Sequence, residues 1–304
     1  MLNHKVISIL GPTASGKSDL AIKIGKKFNF PIINCDSKLL YRGLDIGTAK
    51  PTHADQNLVK HYMIDILNYD DHSNLRWFLD ESREIITELN NNNQIPLLTG
   101  GTGQYLWGIL DAWDPPQVKP NKKLRQNIYK EIEKFGIKKV VKKYSENYKL
   151  NPDLDLENPV RLIRIIELYE SGHNSYSKNK LDNYDINSLI IGIKIDREES
   201  NKLIKQRIKK MFSMGWIEEV EKLLMSGIDP DSPAMMSIGY REIIDHIYGN
   251  SSKDQMEEKI YTSTRRLLRH QDNWFKKSNK RIKWINFENS FEAADIIIQE
   301  WLKK

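Results

Sequence analysis

Eight residues near the start of the chain, Gly11-Pro-Thr-Ala-Ser-Gly-Lys-Ser18, have the spacing needed to grip a string of phosphates. Gly11 and Gly16 let the main-chain amides of the loop, through Pro12, Thr13, Ala14 and Ser15, wrap anionic oxygens; Lys17 supplies positive charge, and the Ser18 hydroxyl can ligate Mg²⁺. The loop follows an apolar run, Val6-Ile-Ser-Ile-Leu10, and opens a helical pattern of Leu20, Ile22, Ile24 and Phe28. It therefore sits on a helix N-terminus, whose dipole favours anions. A diphosphate or triphosphate is expected to bind, with its fate left open. Asp36, ending the next apolar run, is a carboxylate that could act on such a substrate; capping the following helix or holding water on Mg²⁺ would suit it equally. Thr99-Gly-Gly-Thr-Gly103 makes a second glycine turn, whose backbone and Thr102 hydroxyl can approach a ligand closely, although glycines also end strands for steric reasons alone.

For these groups to meet, they must stand at the same edge of one sheet. Val6–Leu10, Pro31–Asp36, Tyr62–Leu67, Ile95–Thr99, Ser188–Ile195 and Ile282–Phe287 read as short buried strands. Helical patterns separate most of them, and that alternation predicts a parallel sheet with crossover helices. In such a sheet the carboxyl ends of the strands open on the ligand crevice, which puts Lys17, Asp36 and the glycine turn on one side. From Asp114 to Asn187 the pattern changes: Pro115-Pro116 and Pro120 open a Lys-rich helical stretch with no convincing buried strand. The expected class is α/β, a P-loop NTPase-like parallel sheet flanked by helices, built from residues 1–113 and 188–304, with an inserted all-helical domain at 114–187. Helices are predicted over 198–226, 237–248, 253–277 and 293–302.

The net charge is +6 and the pI ≈ 9.0, which makes polyanions plausible partners. Eleven Lys and Arg face three Glu between Lys119 and Lys149, and nine face one acid, Asp272, between Lys259 and Lys283, where Trp274 and Phe275 interleave. One such run reads as a solvated helix face; two, one of them with aromatics, point toward nucleic acid. Cys35 is the one cysteine, which excludes a disulfide scaffold or a cysteine-based zinc site and suggests a reducing compartment. No stretch reaches the ~20 apolar residues of a membrane helix. Met1 to Leu10 lacks a basic segment followed by a long apolar run. A soluble, unprocessed, cytoplasmic protein without a membrane partner, acting as a monomer, is the expectation.

Taken together, the residues resemble a known family. Gly11–Ser18, Asp36-Ser37, Asp45-Ile-Gly-Thr-Ala-Lys-Pro51, Gly100-Gly-Thr-Gly103, Asn158-Pro-Val-Arg-Leu-Ile-Arg164, Ser237-Ile-Gly-Tyr-Arg241, Thr264-Arg-Arg266 and Trp274-Phe275 follow one another as in the tRNA dimethylallyltransferases. The resemblance runs from Val6 to Phe275, and the blocks in order are far more specific than any one alone. It implies that dimethylallyl diphosphate alkylates N6 of adenosine 37, just 3′ of the anticodon, with Mg²⁺ and release of diphosphate. The phosphate loop would then hold the prenyl donor and need not hydrolyse a nucleotide. By resemblance, Asp36 is the base that relieves the poorly nucleophilic amine of its proton, and Lys17, the loop amides and Mg²⁺ on Ser18 meet the departing charge. Thr102 holds the adenine or a diphosphate oxygen, and Thr13 and Ser15 line the donor site. The target base must leave its stack. Residues matching tRNA contacts are Asp36, Ser37, Lys38, Leu39, Thr102, Arg125, Val160, Arg161, Leu162, Ile163, Arg164, Ser237, Ile238, Gly239, Tyr240 and Arg241, with Arg265, Arg266 and Arg269 as further candidates. The anticodon stem-loop is the implied partner, and the 114–187 insertion its implied docking domain.

One position departs from the family pattern. Where R-I-x-x-R is usual, its second arginine reaching the diphosphate, this chain has Arg207-Ile-Lys-Lys-Met211, leaving Arg207 or Lys210 to supply that charge. Zinc-finger appendages of eukaryotic cytosolic relatives are excluded by the cysteine count. Three rival readings share parts of the pattern. A small-molecule kinase would use the same loop, sheet and acid but give no role to the basic insertion. An isopentenyltransferase acting on free adenine nucleotides would not need that insertion's arginines. An RNA-binding protein with a degenerate site would not need the chemistry.

Overall fold

The computed structural model describes residues 3–148, 150, 155–173, 179–182 and 184–304; Met1, Leu2 and Lys149, used in the sequence reading, lie outside the described residues. The chain divides into two compact units, residues 1–112 with 182–304, and residues 113–181.

The first unit is organised by one sheet. Its strands are β1 (Asn3–Leu10), β2 (Ile32–Asn34), β3 (His61–Tyr62), β4 (Leu97–Thr99), β5 (Asp185–Lys194) and β6 (Ile282–Asn286). All pairings are parallel, in the order β3-β2-β4-β1-β5-β6. β1 is central and carries Val6, Ile7, Ile9 and Leu10 fully buried, as a parallel strand covered on both faces must. Ile9 and Asn34 both pair with Thr99, so β1, β2 and β4 end in step. Their following loops, the phosphate loop, Cys35–Ser37 and the Gly100–Gly103 turn, therefore emerge side by side. Helix α1 (Lys17–Phe28) seats Leu20, Ala21 and Ile24 in the same apolar cluster as Ile7 and Ile9 of β1 and Ile298 of the closing helix α12 (Ser290–Leu302). Next in the chain come α2 (His53–Leu58), α3 (Leu75–Asn91) and α4 (Gly103–Leu110). α3 and α4 pack together through Phe78 stacked on Tyr105.

Several boundaries differ from the sequence reading. The strand expected over Tyr62–Leu67 ends at Tyr62, because Met63 and Asp65 adopt φ of 61° and 55°, and a left-handed residue breaks the pleat. β1 and β5 begin at Asn3 and Asp185 rather than Val6 and Ser188, and the extra polar residues pair with each other, Asn3 opposite Asp185 and Lys5 opposite Asn187. The helical unit accordingly spans 113–181 rather than 114–187. The helix expected over 198–226 is two, α8 (Arg197–Ser213) and α9 (Trp216–Met225), parted at Gly215 with φ 92°. α10 (Tyr240–Ile247) starts after Gly239, and α11 (Lys253–Trp274) starts at a capping box made by Ser252 and Gln255.

The second unit consists of α5 (Lys122–Phe135), α6 (Ile137–Tyr148) and α7 (Pro159–Glu170). They close on Ile128, Val140, Leu162, Ile163 and Ile166. Its Lys-rich faces remain exposed. No helix among the described residues is long and apolar enough to cross a membrane.

Candidate active site

The phosphate loop is held in the shape that its sequence suggests. Ala14 and Gly16 take φ of 62° and 72°, the left-handed backbone found in the main-chain concavities that bind anions. The Ser15 amide donates to the Pro12 carbonyl at 3.3 Å, and the Lys17 ammonium folds back to the same oxygen, also at 3.3 Å. Burial pushes Lys17 down to about 8; neighbouring Arg207 adds to this and Asp36 opposes it. The Ser15 hydroxyl is buried without a hydrogen-bond partner. Ser18 is exposed in the first turn of α1.

Asp36 is fixed beside this loop by its own neighbours. Its amide donates to Asn34 Oδ1 and its carbonyl accepts from Asn34 Nδ2, both at 2.9 Å, while Oδ1 accepts the Lys38 amide at 3.0 Å. The glycine turn is stitched to the same segment: the Thr102 amide donates to the Cys35 carbonyl, and the Ser37 amide to Thr102 Oγ1, both at 3.1 Å. Gly100 must be glycine, since a Cβ there would stand 2.1 Å from the Cys35 carbonyl carbon. Asp36, Ser37, Thr102 and the phosphate loop thus come together. Lys38 turns its ammonium to the Pro233 carbonyl at 3.1 Å, with burial lowering its pKa and Asp36 opposing. The Leu39 carbonyl accepts the Asp65 amide at 3.2 Å.

A third cation joins the pair. Arg207, on α8, is half-buried within electrostatic reach of Lys17 and Asp36; its desolvation lowers its pKa, against the pull of Asp36 and then Asp19. It stays charged at any working pH, so the site holds two half-buried cations and is electrostatically prepared for an anion. Met211, four residues on, lies in the apolar row Ile204, Ile208, Met211, and Lys210 is exposed. Of the two cations left by the departure from R-I-x-x-R, Arg207 is the one brought to Asp36 and Lys17.

The Asp45–Pro51 block does structural work next to them. Glu219 accepts the amides of Asp45, Ile46 and Gly47 at 3.1, 2.8 and 3.4 Å and the Tyr240 hydroxyl at 2.5 Å. Lys50 bonds the Tyr41 carbonyl at 2.9 Å and pairs with Asp45 at 2.7 Å and with Asp65. The Thr48 carbonyl, in the held turn, accepts from Arg207 at 3.5 Å.

The residues matched to RNA contacts divide sharply. Tyr240 is fully buried, its hydroxyl committed to Glu219, with burial and then that carboxylate raising its pKa. The Ser237 hydroxyl donates to the Ala234 carbonyl at 2.5 Å. Leu162 and Ile163 belong to the helical unit's core. These four side chains are interior, so what their positions present outward is main chain. Gly239, also buried, precedes α10, and Ile238 is half-buried. Arg241 is exposed in a cleft of ≈ 750 Å³ with Lys259 and Arg266, among Glu242, Asp245 and Glu258.

In the helical unit, Arg125 makes a two-pronged bond to Glu167 at 2.7 and 2.9 Å, and Arg164 adds a third at 3.2 Å while also reaching the Val118 carbonyl at 2.9 Å. Burial would raise Glu167, but Arg125, the Asn121 amide and Arg164 together hold it low. Both arginines are therefore part of the unit's own framework. Val160 and Arg161 are exposed, Arg161 pairing with Asp155 at 3.3 Å, and they remain on offer to a partner.

Sequence reasoning missed Glu219 and Gln271. Gln271 was detectable as a polar residue in the apolar row Met256, Ile260, Leu268 of α11; Glu219 left no local signal. Among the described residues no group of three or more His, Cys, Asp or Glu could hold a metal. Mg²⁺ needs only one or two protein oxygens when phosphates and waters complete its shell. A hydroxyl beside a phosphate-gripping loop, as Ser18 is, fits that ion.

The geometry has counterparts. The isopentenyl transferase family matches residues 4–67 and the IPP transferase family residues 39–278. A tRNA dimethylallyltransferase of Dehalococcoides mccartyi is 33% identical over 298 residues, covering 96% of this chain and 90% of its own. The solved tRNA delta(2)-isopentenylpyrophosphate transferase of Staphylococcus epidermidis superposes with a TM-score of 0.71 at 31% identity, over 99% of each chain. A eukaryotic dimethylallyltransferase acting on tRNA shares the fold, with a TM-score of 0.78 at 20% identity over 99% of this chain and 80% of that one. With its phosphate loop, Asp36 and glycine turn meeting at the strand ends and the family match spanning most of its length, this chain belongs to the IPP transferases.

Proposed function

We propose that the protein transfers a dimethylallyl group from dimethylallyl diphosphate to N6 of adenosine 37 in tRNA. The observation that carries the reading is the meeting of the phosphate loop, Asp36 and the glycine turn at the aligned ends of β1, β2 and β4, with Lys17 and Arg207 in electrostatic reach of Asp36. A proton acceptor and two cations then stand close together, as a substitution with an anionic leaving group requires. The allylic C–O bond breaks, its electron pair leaves with diphosphate, a C–N bond forms, and the N6 proton passes to Asp36. Lys17, Arg207 and the loop amides meet the charge that gathers on the diphosphate, the larger contribution in a site of low dielectric. Mg²⁺ held by Ser18 and by donor oxygens would neutralise part of that charge. Arg161 and Val160 are the surface of α7 we assign to the RNA, together with Arg241 and the α11 arginines. The two half-buried arginines paired with Glu167, Arg125 and Arg164, act by holding their unit together. The cytoplasm, where tRNA and donor coexist, is the compartment this reading requires.

Incubation with labelled dimethylallyl diphosphate, Mg²⁺ and either tRNA or AMP tests the reading. Label on tRNA at the adenosine 3′ of the anticodon is the expected result. Label on AMP alone, or phosphorylation that depends on ATP, overturns it.

A further inference from the structure

One buried polar side chain inside the site has no part in the chemistry above. Gln271 is 3% exposed. Its Oε1 accepts the Thr13 amide at 2.7 Å, and its Nε2 donates to the Gly101 carbonyl at 3.2 Å. One carboxamide thus ties the phosphate loop to the glycine turn. A Cβ built on Gly101 would lie 2.4 Å from Gln271 Nε2 and 3.1 Å from Asp36 Oδ2, so amide and carboxylate converge on the same point. Because Asp36 Oδ1 is engaged by the Lys38 amide, Oδ2 is the oxygen on that side. Trp274, one turn further along α11, closes over Gly103, where a Cβ would meet the indole at 2.4 Å. The same helix therefore presses on the turn at both of its ends.

We propose that Gln271 is a positioning residue that sets the separation between the leaving-group subsite and the base, a reading that rests on the prenyl transfer proposed above. Thr13 belongs to the loop that grips the departing diphosphate. Gly101 belongs to the turn that carries Thr102 and is bonded to Cys35 and Ser37 on either side of Asp36. A substitution at carbon needs nucleophile and leaving group aligned on opposite sides of one atom, and a misplacement of about 1 Å can cost on the order of 10²-fold in rate. Among the described residues no hydrogen bond joins the two loops directly; the carboxamide, buried where hydrogen bonds are electrostatically strong, spans them. A carboxamide carries an acceptor and a donor on one planar group and so satisfies an amide and a carbonyl at once.

Gln271→Met keeps length and burial while removing both bonds, and Gln271→Asn keeps the carboxamide but, one methylene shorter, reaches only one loop. In prenyl transfer to tRNA the methionine variant should lose roughly tenfold to a hundredfold in kcat with the donor KM within about threefold. The asparagine variant should fall between it and the unaltered protein. Hydrogen exchange of segments 11–16 and 99–103 should quicken in the methionine variant. A kcat for Gln271→Met within twofold of the unaltered protein would overturn the proposal, as would a loss fully accounted for by a smaller folded fraction. Should the unaltered protein fail to label tRNA, the functional reading falls by itself, and exchange then decides the tie: unchanged protection of both segments in Gln271→Met sinks it.

Discussion

Glu219 offers the sharpest perturbation, because a single carboxylate serves two clients. Its Oε2 accepts the amides of Asp45 and Ile46, and its Oε1 accepts the Gly47 amide and the Tyr240 hydroxyl, the last at 2.5 Å. All four are donors, so the group must be an acceptor on both oxygens. Gln in its place keeps the shape but turns one end into an NH₂ that faces donors. Either the Asp45 and Ile46 amides, or the Gly47 amide and the phenol, then lose their partner. Hydrogen bonds to charged groups contribute about 1.5–3 kcal/mol each, and an orphaned buried donor costs a similar amount. With the shorter bonds retained at one end, Glu219→Gln should destabilise the protein by about 2–4 kcal/mol. For a unit of this size that is a fall in Tm of roughly 5–10 °C. Calorimetry measures the loss, and hydrogen exchange localises it to residues 45–47. Activity should fall further than folding does, since Arg207 bonds Thr48 in the same turn. A change under about 0.5 kcal/mol with protection of those amides intact would refute the argument that the carboxylate holds the loop.

Other expectations follow from the site and the helical unit. Burial and Arg207 hold Lys17 near about 8 in the ligand-free protein, against about 10.4 when unfolded. The unfolded chain therefore binds more protons between these values, and ligand-free stability should rise with pH across that window. A bound diphosphate restores the charge, so a thiol-linked, non-transferable donor analogue should bind with proton uptake above pH ~8 and weaken about tenfold per pH unit. Calorimetry in buffers of different ionisation enthalpy reads this, and zero uptake at pH ~9 contradicts it. Asp36→Ala should retain tRNA affinity yet lose ~10²–10⁴-fold in turnover, and an unchanged kcat removes it as the base. Arg161→Ala should weaken tRNA binding and flatten its salt dependence without touching donor affinity; a donor effect would assign it to the active site instead. Arg125→Ala should cost about 2 kcal/mol of stability, discounted because the arginine is partly exposed and Arg164 still pairs with Glu167. If its melting is unaltered while RNA binding falls, Arg125 is a contact rather than a support.

The phosphate loop, the α/β class, the helical insertion and the candidacy of Asp36 were legible in the amino-acid sequence because their causes are local. Glycine spacing, a lysine and a hydroxyl carry their meaning within eight residues, and buried strands announce themselves as short apolar runs. Polar strand beginnings such as Asn3–Lys5 and Asp185–Asn187 were not legible, since only pairing with each other makes them strands. Nor was the stop after Tyr62, which depends on left-handed residues at 63 and 65. What the tertiary structure alone decided is which partners each functional group meets. Arg207 reaches Asp36 from a helix far along the chain, Glu219 crosses 172 to 174 residues to hold a turn, and Gln271 spans 258 and 170 to join two loops. Burial likewise sorted Tyr240 and Leu162 from Arg161, although all three stand in family blocks. Side-chain chemistry is written residue by residue, but desolvation and hydrogen-bond partnership belong to the packed arrangement, and no spacing along one segment encodes them.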